Sequence, residues 1–138
     1  MNDLKYISGD LVLYASLIKE PVAEICEVHE ASYTVKFMHG NFAKVTSKEI
    51  KPITLTLKIL EKNGWEYYSS DGNERIYTKE FKDMSIYIGV DKDSKAMYVY
   101  NGINDYGCAD DYYLRSVGYV HQLQHFLFGL GLNSEMEV

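Results

Sequence analysis

Apolar and polar residues alternate in short runs through most of this chain, and each run meets a turn signal before it can lengthen. Tyr33, Val35 and Phe37 alternate with Thr34, Lys36 and Met38, the period of two expected of a strand with one face buried. Gly9-Asp10 opens the run LVLYASL, KEPVAEICEV follows, and FAKVT comes after the turn His39-Gly40-Asn41. In AEICEV the alternation slips, because Glu24 and Glu27 cannot share a face, and this predicts a bulge or an edge. Such a pattern restricts the first 54 residues to short antiparallel strands in a tightly curled sheet.

The strand and turn grammar of this stretch, closed by Ile50-Lys51-Pro52, resembles that of small SH3-like β-barrels. Thr56 then reads as a helix N-cap, with Leu57, Ile59 and Leu60 as a short apolar stripe and Asn63-Gly64 as the stop. A unit boundary is therefore expected near residue 54, separating an SH3-like β unit (1–54) from a second α+β unit (55–138). Within the latter, WEYYSS, ERIYTKEF, MSIYIGV and AMYVYN read as a meander with turns at Asp71-Gly72-Asn73 and Asp91 to Lys95. After a loop rich in Gly, Asn and Asp comes a strand in YYLRSV, and then a helix in GYVHQLQHFLFGLGL. Its apolar register, Val120, Leu123, Phe126, Leu127 and Leu130, suits a plug over the second sheet, with His121, Gln122, Gln124 and His125 as a polar flank. The fold class expected is α+β: a small SH3-like β-barrel followed by an antiparallel sheet packed against a C-terminal helix.

A hydrophobic content of 46% over 138 residues is enough to bury a core. The longest apolar stretches fall far short of the roughly 20 residues that span a bilayer, so no membrane association is expected. The opening MNDLKYISGD lacks the apolar run of a secretory leader, and a cytoplasmic location is the expectation. Cys26 and Cys108 are too few for a disulfide framework and too far apart for a zinc knuckle. The net charge is −6, and residues 55–138 carry 8 Lys+Arg against 13 Asp+Glu. That balance opposes broad contact with a phosphate backbone.

His121 and His125 stand at the i, i+4 spacing that can present two imidazoles to a metal. Zincin-type hydrolysis needs a Glu after the first His as general base, and the chain has Gln122 there. A third ligand would have to come from Cys108, Asp110 or Asp111, so neither a metal nor any other cofactor is expected. Cys108 with either imidazole lacks the sequence signatures of cysteine nucleophiles. The turn DKDSK lacks the Gly and Glu of a calcium loop, and no Walker, dinucleotide or GxSxG motif occurs. Catalysis is not expected.

Tyrosine is the unusual component, with 13 in the chain. Tyr98, Tyr100, Tyr106, Tyr112 and Tyr113 bracket an acidic loop that includes Asp110 and Asp111. Large amphipathic rings with little rotamer entropy to lose suit a surface that binds a partner, and carboxylates beside them suit a basic one. These seven residues are the expected partner-binding set.

The segments KPITLTLKILEKNGW (51–65) and YVHQLQHFLFGLGL (119–132) together resemble small uncharacterised proteins of Bacteroidetes genomes, phages and mobile elements. Those proteins pair a helix of the form P-L-T-x-x-I-L-x-x-N-G with a terminal Y-V-H-x-L-Q helix. The family commonly has another polar residue where this chain has His125, which implies that the second imidazole is not a required ligand. The resemblance implies a non-catalytic accessory or anti-defence factor acting by protein-protein interaction. Two alternatives remain at this point: a nucleic-acid or small-nucleotide binding module using the SH3-like unit, and a metal-binding hydrolase using His121 and His125. A homodimer is left open.

Overall fold

The structure, a computed structural model, describes residues 6–15, 19–81, 84–100 and 113–138. The fold is α+β, and the described residues form two antiparallel five-stranded sheets and two helices. The chain divides into two compact units, one formed by 1–54 with 119–136 and the other by 55–118 with 137–138.

In the first unit, β1 (Leu11–Tyr14), β2 (Val22–Val28), β3 (Tyr33–Phe37), β4 (Phe42–Val45) and β5 (Ile50–Pro52) form a sheet of order β4-β3-β2-β1-β5. β1 pairs with both β2 and β5, placing Val12 opposite Ala23 on one side and Pro52 on the other. No pairing joins β4 to β5 among the described residues, so the closed barrel expected from the turn grammar is not seen. Curling depends on bulges as well as on strand length, and the sheet has one where the alternation slips, between Ile25 and Glu27. The inward residues Val12, Ala23, Ile25, Val35, Val45 and Ile50 form the core with Tyr6. Their side chains stand at the period the sequence showed.

The second unit opens with α1 (Leu57–Lys62), where the Thr56 hydroxyl accepts from the Ile59 amide at 3.2 Å. Gly64 takes φ +87°, the left-handed turn a side chain would resist. Then β6 (Glu66–Asp71), β7 (Glu74–Phe81), β8 (Met84–Asp91), β9 (Met97–Tyr100) and β10 (Tyr113–Ser116) make a sheet of order β10-β9-β8-β7-β6. At the β8–β9 turn the Asp91 carboxylate accepts from the amides of Asp93 and Ser94, each at 2.9 Å, as befits a polar hairpin turn. Ile86, Ile88, Val90, Met97 and Val99 are buried together with Tyr77, and register assigns all six to one face. The opposite face carries Tyr87, Tyr98 and Tyr100.

The terminal helix, α2 (Val120–Gly129), requires a correction to the expected arrangement. Its hydrogen bonds tie it to the start of β1, and it belongs to the first unit instead of the second. Val120, Leu123 and Leu127 are buried as the apolar register predicts, but Leu130 is exposed and Phe126 only partly covered. His121 and Gln124, expected on a polar flank, are 2% and 4% exposed. The physical reason is that polar partners await both ends of the Gln124 amide.

Candidate functional site

Asp10 is 1% exposed at the start of β1, placed there by the turn at Gly9, whose φ is +97°. Its Oδ2 accepts from the Ile7 amide at 2.9 Å and from His125 Nε2 at 2.7 Å. Burial raises its pKa, while the Ile7 N–H and the His125 imidazole pull it back down. One residue earlier on the helix, the Gln124 Oε1 accepts from the Leu11 amide at 3.0 Å, and its Nε2 donates to the carbonyls of Gly9 at 3.0 Å and Ser134 at 3.2 Å. A single side chain thus satisfies the backbone on either side of Asp10.

His121 does something different. Its ring meets Tyr6 edge-on at 5.0 Å, stacks with Tyr119 at 5.8 Å and meets His125 at 5.4 Å. Burial, reinforced by His125, holds its pKa down at about 4, so the ring is neutral at pH 7. Its Nδ1 finds no hydrogen-bond partner among the described residues. Burial pushes the neighbouring Tyr6 phenol up to about 12, with Tyr33, Asp10 and Tyr119 adding to the shift.

Two imidazoles at i, i+4 are therefore brought together, but they are employed separately, one on a carboxylate and one among aromatic rings. Among the described residues no group of three or more His, Cys, Asp and Glu side chains is arranged to hold a metal ion. Cys108, Asp110 and Asp111 lie outside the described residues. Gln122, which occupies the position of the zincin general base, accepts from the Tyr119 amide at 3.1 Å and so caps its own helix. The arrangement is chemically a clamp: it fixes α2 against β1 through buried polar contacts. Asp10 and Gln124 are the residues that sequence reasoning missed. A signal was present, since 121, 124 and 125 form an i, i+3, i+4 stripe directly beside the apolar one.

The partner-binding set expected from the sequence divides differently. Tyr106, Asp110, Asp111 and Tyr112 lie outside the described residues, and Tyr113 begins β10 opposite Tyr100. Tyr100 is 9% exposed, and its hydroxyl donates to the Glu74 carboxylate with both oxygens at 2.8 Å, so that residue serves the sheet itself. Tyr98 is half-buried and stands opposite Gly89. On the same face Tyr87 is half-buried, and it meets the 48% exposed ring of Tyr68 at 5.4 Å. Tyr68 and Tyr87 stand outside the expected set because they belong to different strands, and their meeting depends on register.

The charge pattern of that face follows from the pairing alone. Residues on one face of a sheet alternate along each strand and sit opposite one another between strands. Glu66, Glu74, Glu80 and Asp91 share the face with Tyr87 and Tyr98, whereas Arg75 and Lys79 belong to the other. Among the described residues the strands place no lysine or arginine on the tyrosine side.

No family model, no curated protein and no solved structure matches this chain.

Proposed function

We propose that this protein is a non-catalytic binding protein, and that it engages a protein partner through the tyrosine face of its second sheet. The observation that carries this reading is the exposed Tyr68 ring packed on Tyr87, with Tyr98 in register beside them on a face whose strand-borne charges are all acidic. Rings of this kind contribute contact area at little entropic cost, and charged neighbours speed and orient encounter. A phosphate backbone would meet carboxylates there and no strand-borne lysine or arginine among the described residues, which disfavours nucleic acid as the occupant. The two helix histidines support a non-catalytic reading, because half-buried His125 is engaged by Asp10 and buried His121 by aromatic packing.

The resemblance to proteins of phages and mobile elements supports an accessory or anti-defence role in the cytoplasm. The pairing of β1 with both β2 and β5 supports reading the first unit as SH3-like in strand order. The test is affinity capture with the wild type and with Tyr68→Ala, whose fold is checked by its far-UV spectrum. Partners recovered equally by both proteins would remove the tyrosine face from consideration.

A further inference from the structure

Resting on that reading, the geometry points to an arginine-bearing extended segment of a protein as the occupant of the tyrosine face, its guanidinium groups stacked on Tyr68 and Tyr87 between carboxylates. Register sets the layout. Glu66, Thr78, Tyr87 and Tyr100 form one row across β6 to β9, and Ser69, Ile76, Gly89 and Tyr98 form the next. Glu80 lies beyond the first row and Glu74 beyond the second. With a rise of about 3.3 Å per residue, the six-residue interval from Glu74 to Glu80 makes the face roughly 20 Å long. An aromatic band therefore lies between acidic margins; Ile76 and Tyr100 within it are buried, and its accessible ground is the Tyr68–Tyr87 pair with Glu66 and Glu80 beside it.

Arginine satisfies both parts of this surface. Its planar guanidinium stacks on an aromatic ring while its edge donates to a carboxylate, and it sheds water more readily than an ammonium does. Lysine offers the charge without the plane. A second copy of this chain would bring carboxylates against carboxylates, and an uncharged segment would leave the acidic margins unmatched. The segment is expected across the face rather than along the edge of the sheet. The edge strand β6 carries a bulge between Tyr67 and Ser69, a feature that interrupts pairing and turns an edge away from added strands.

The test uses the full chain and synthetic peptides of nine residues in which Gly alternates with Arg, with Lys or with Glu. NMR signals of the Tyr68 and Tyr87 rings are expected to shift on adding the Arg peptide, with affinity at least about tenfold above that of the Glu peptide, or about 1.4 kcal/mol. The Lys peptide should bind more weakly than the Arg peptide. Raising salt should weaken the complex, and Glu66→Gln with Glu80→Gln should reduce that salt dependence. Tyr68→Ala should weaken Arg-peptide binding about tenfold or more. Unmoved Tyr68 and Tyr87 signals at millimolar Arg peptide would overturn the inference, as would equal binding of the Glu peptide or tighter binding of a DNA duplex. If a partner captured through Tyr68 binds while the Arg peptide does not, the basic-segment inference fails and the binding reading stands. If Tyr68→Ala changes neither, both fail.

Discussion

The hydroxyl of Tyr100 donates to the carboxylate of Glu74 directly above Gly89, and the absence of a side chain at Gly89 is what lets the ring lie there. A Cβ at that position would stand 2.5 Å from Tyr100 Cε2 and 2.8 Å from Glu74 Oε1. Gly89→Ala should therefore displace a ring and break its hydrogen bond, costing about 1–3 kcal/mol in denaturant unfolding. Trimming the ring in the same chain, as Gly89→Ala with Tyr100→Leu, should cost less than the sum of the single changes, because the clash is shared. Additive costs would mean that the two residues do not compete for the space.

Gln124→Leu keeps the bulk of the side chain but removes its amide. The Leu11 N–H, buried in the structure, and the Gly9 carbonyl then lose their partner. The buried Leu11 N–H left unsatisfied costs about 1–3 kcal/mol, and a loss of about that size is expected, at or below that of Leu123→Ala at about 2–5 kcal/mol. Hydrogen exchange offers a sharper reading. The Leu11 amide should lose protection in Gln124→Leu while the Ile88 amide, in the second sheet, loses less.

His125→Ala removes the group nearest the Asp10 carboxylate. Two of the influences that hold the Asp10 pKa down disappear, leaving burial and the Ile7 amide in opposition. The Asp10 pKa should therefore rise further, as read from its carboxyl carbon by NMR titration. An unchanged value would show that the 2.7 Å contact contributes little to the charge on Asp10.

His121 governs how stability responds to acid. Its folded pKa of about 4 lies below the 6.5 of the unfolded chain, so the unfolded state takes up a proton first. The associated stability is complete above pH 6.5 and is lost as pH falls from 6.5 toward 4, by about 3 kcal/mol at most. Asp10, whose folded pKa is raised, works in the opposite direction as its carboxyl protonates. Urea unfolding of the wild type should weaken across that interval, and His121→Phe should flatten the slope. Equal slopes in the two proteins would assign the acid sensitivity to other groups.

Local chemistry made much of the fold legible. Thr56 announces α1 because its hydroxyl has an amide to cap, and Gly64 ends the turn because that φ is strained for any other residue. The slip at Glu24 to Glu27 betrays the β2 bulge, since two carboxylates three apart cannot both face water on a regular strand. What escaped is whatever depends on long-range register. Gln124 reads as part of a polar flank because its partners, Gly9 and Leu11, are more than a hundred residues away and offer only backbone groups, which leave no trace in the sequence. Tyr68 and Tyr87 meet for a similar reason: the strand pairing brings them together, and no local pattern marks the pair.

The division of the first unit between residues 1–54 and 119–136 has a consequence for the order in which the protein can be made. When β1 to β5 emerge from the ribosome, the polar groups at Gly9, Asp10 and Leu11 have no helix to receive them. At about 5–20 residues per second, several seconds of translation separate β5 from Gln124 and His125. During that interval the second unit has the means to assemble, whereas the first must keep one side open. The first unit stays incomplete until residues 119–136 arrive, and a chain released from the ribosome after residue 118 should show a second sheet protected from hydrogen exchange and a β1 that is not.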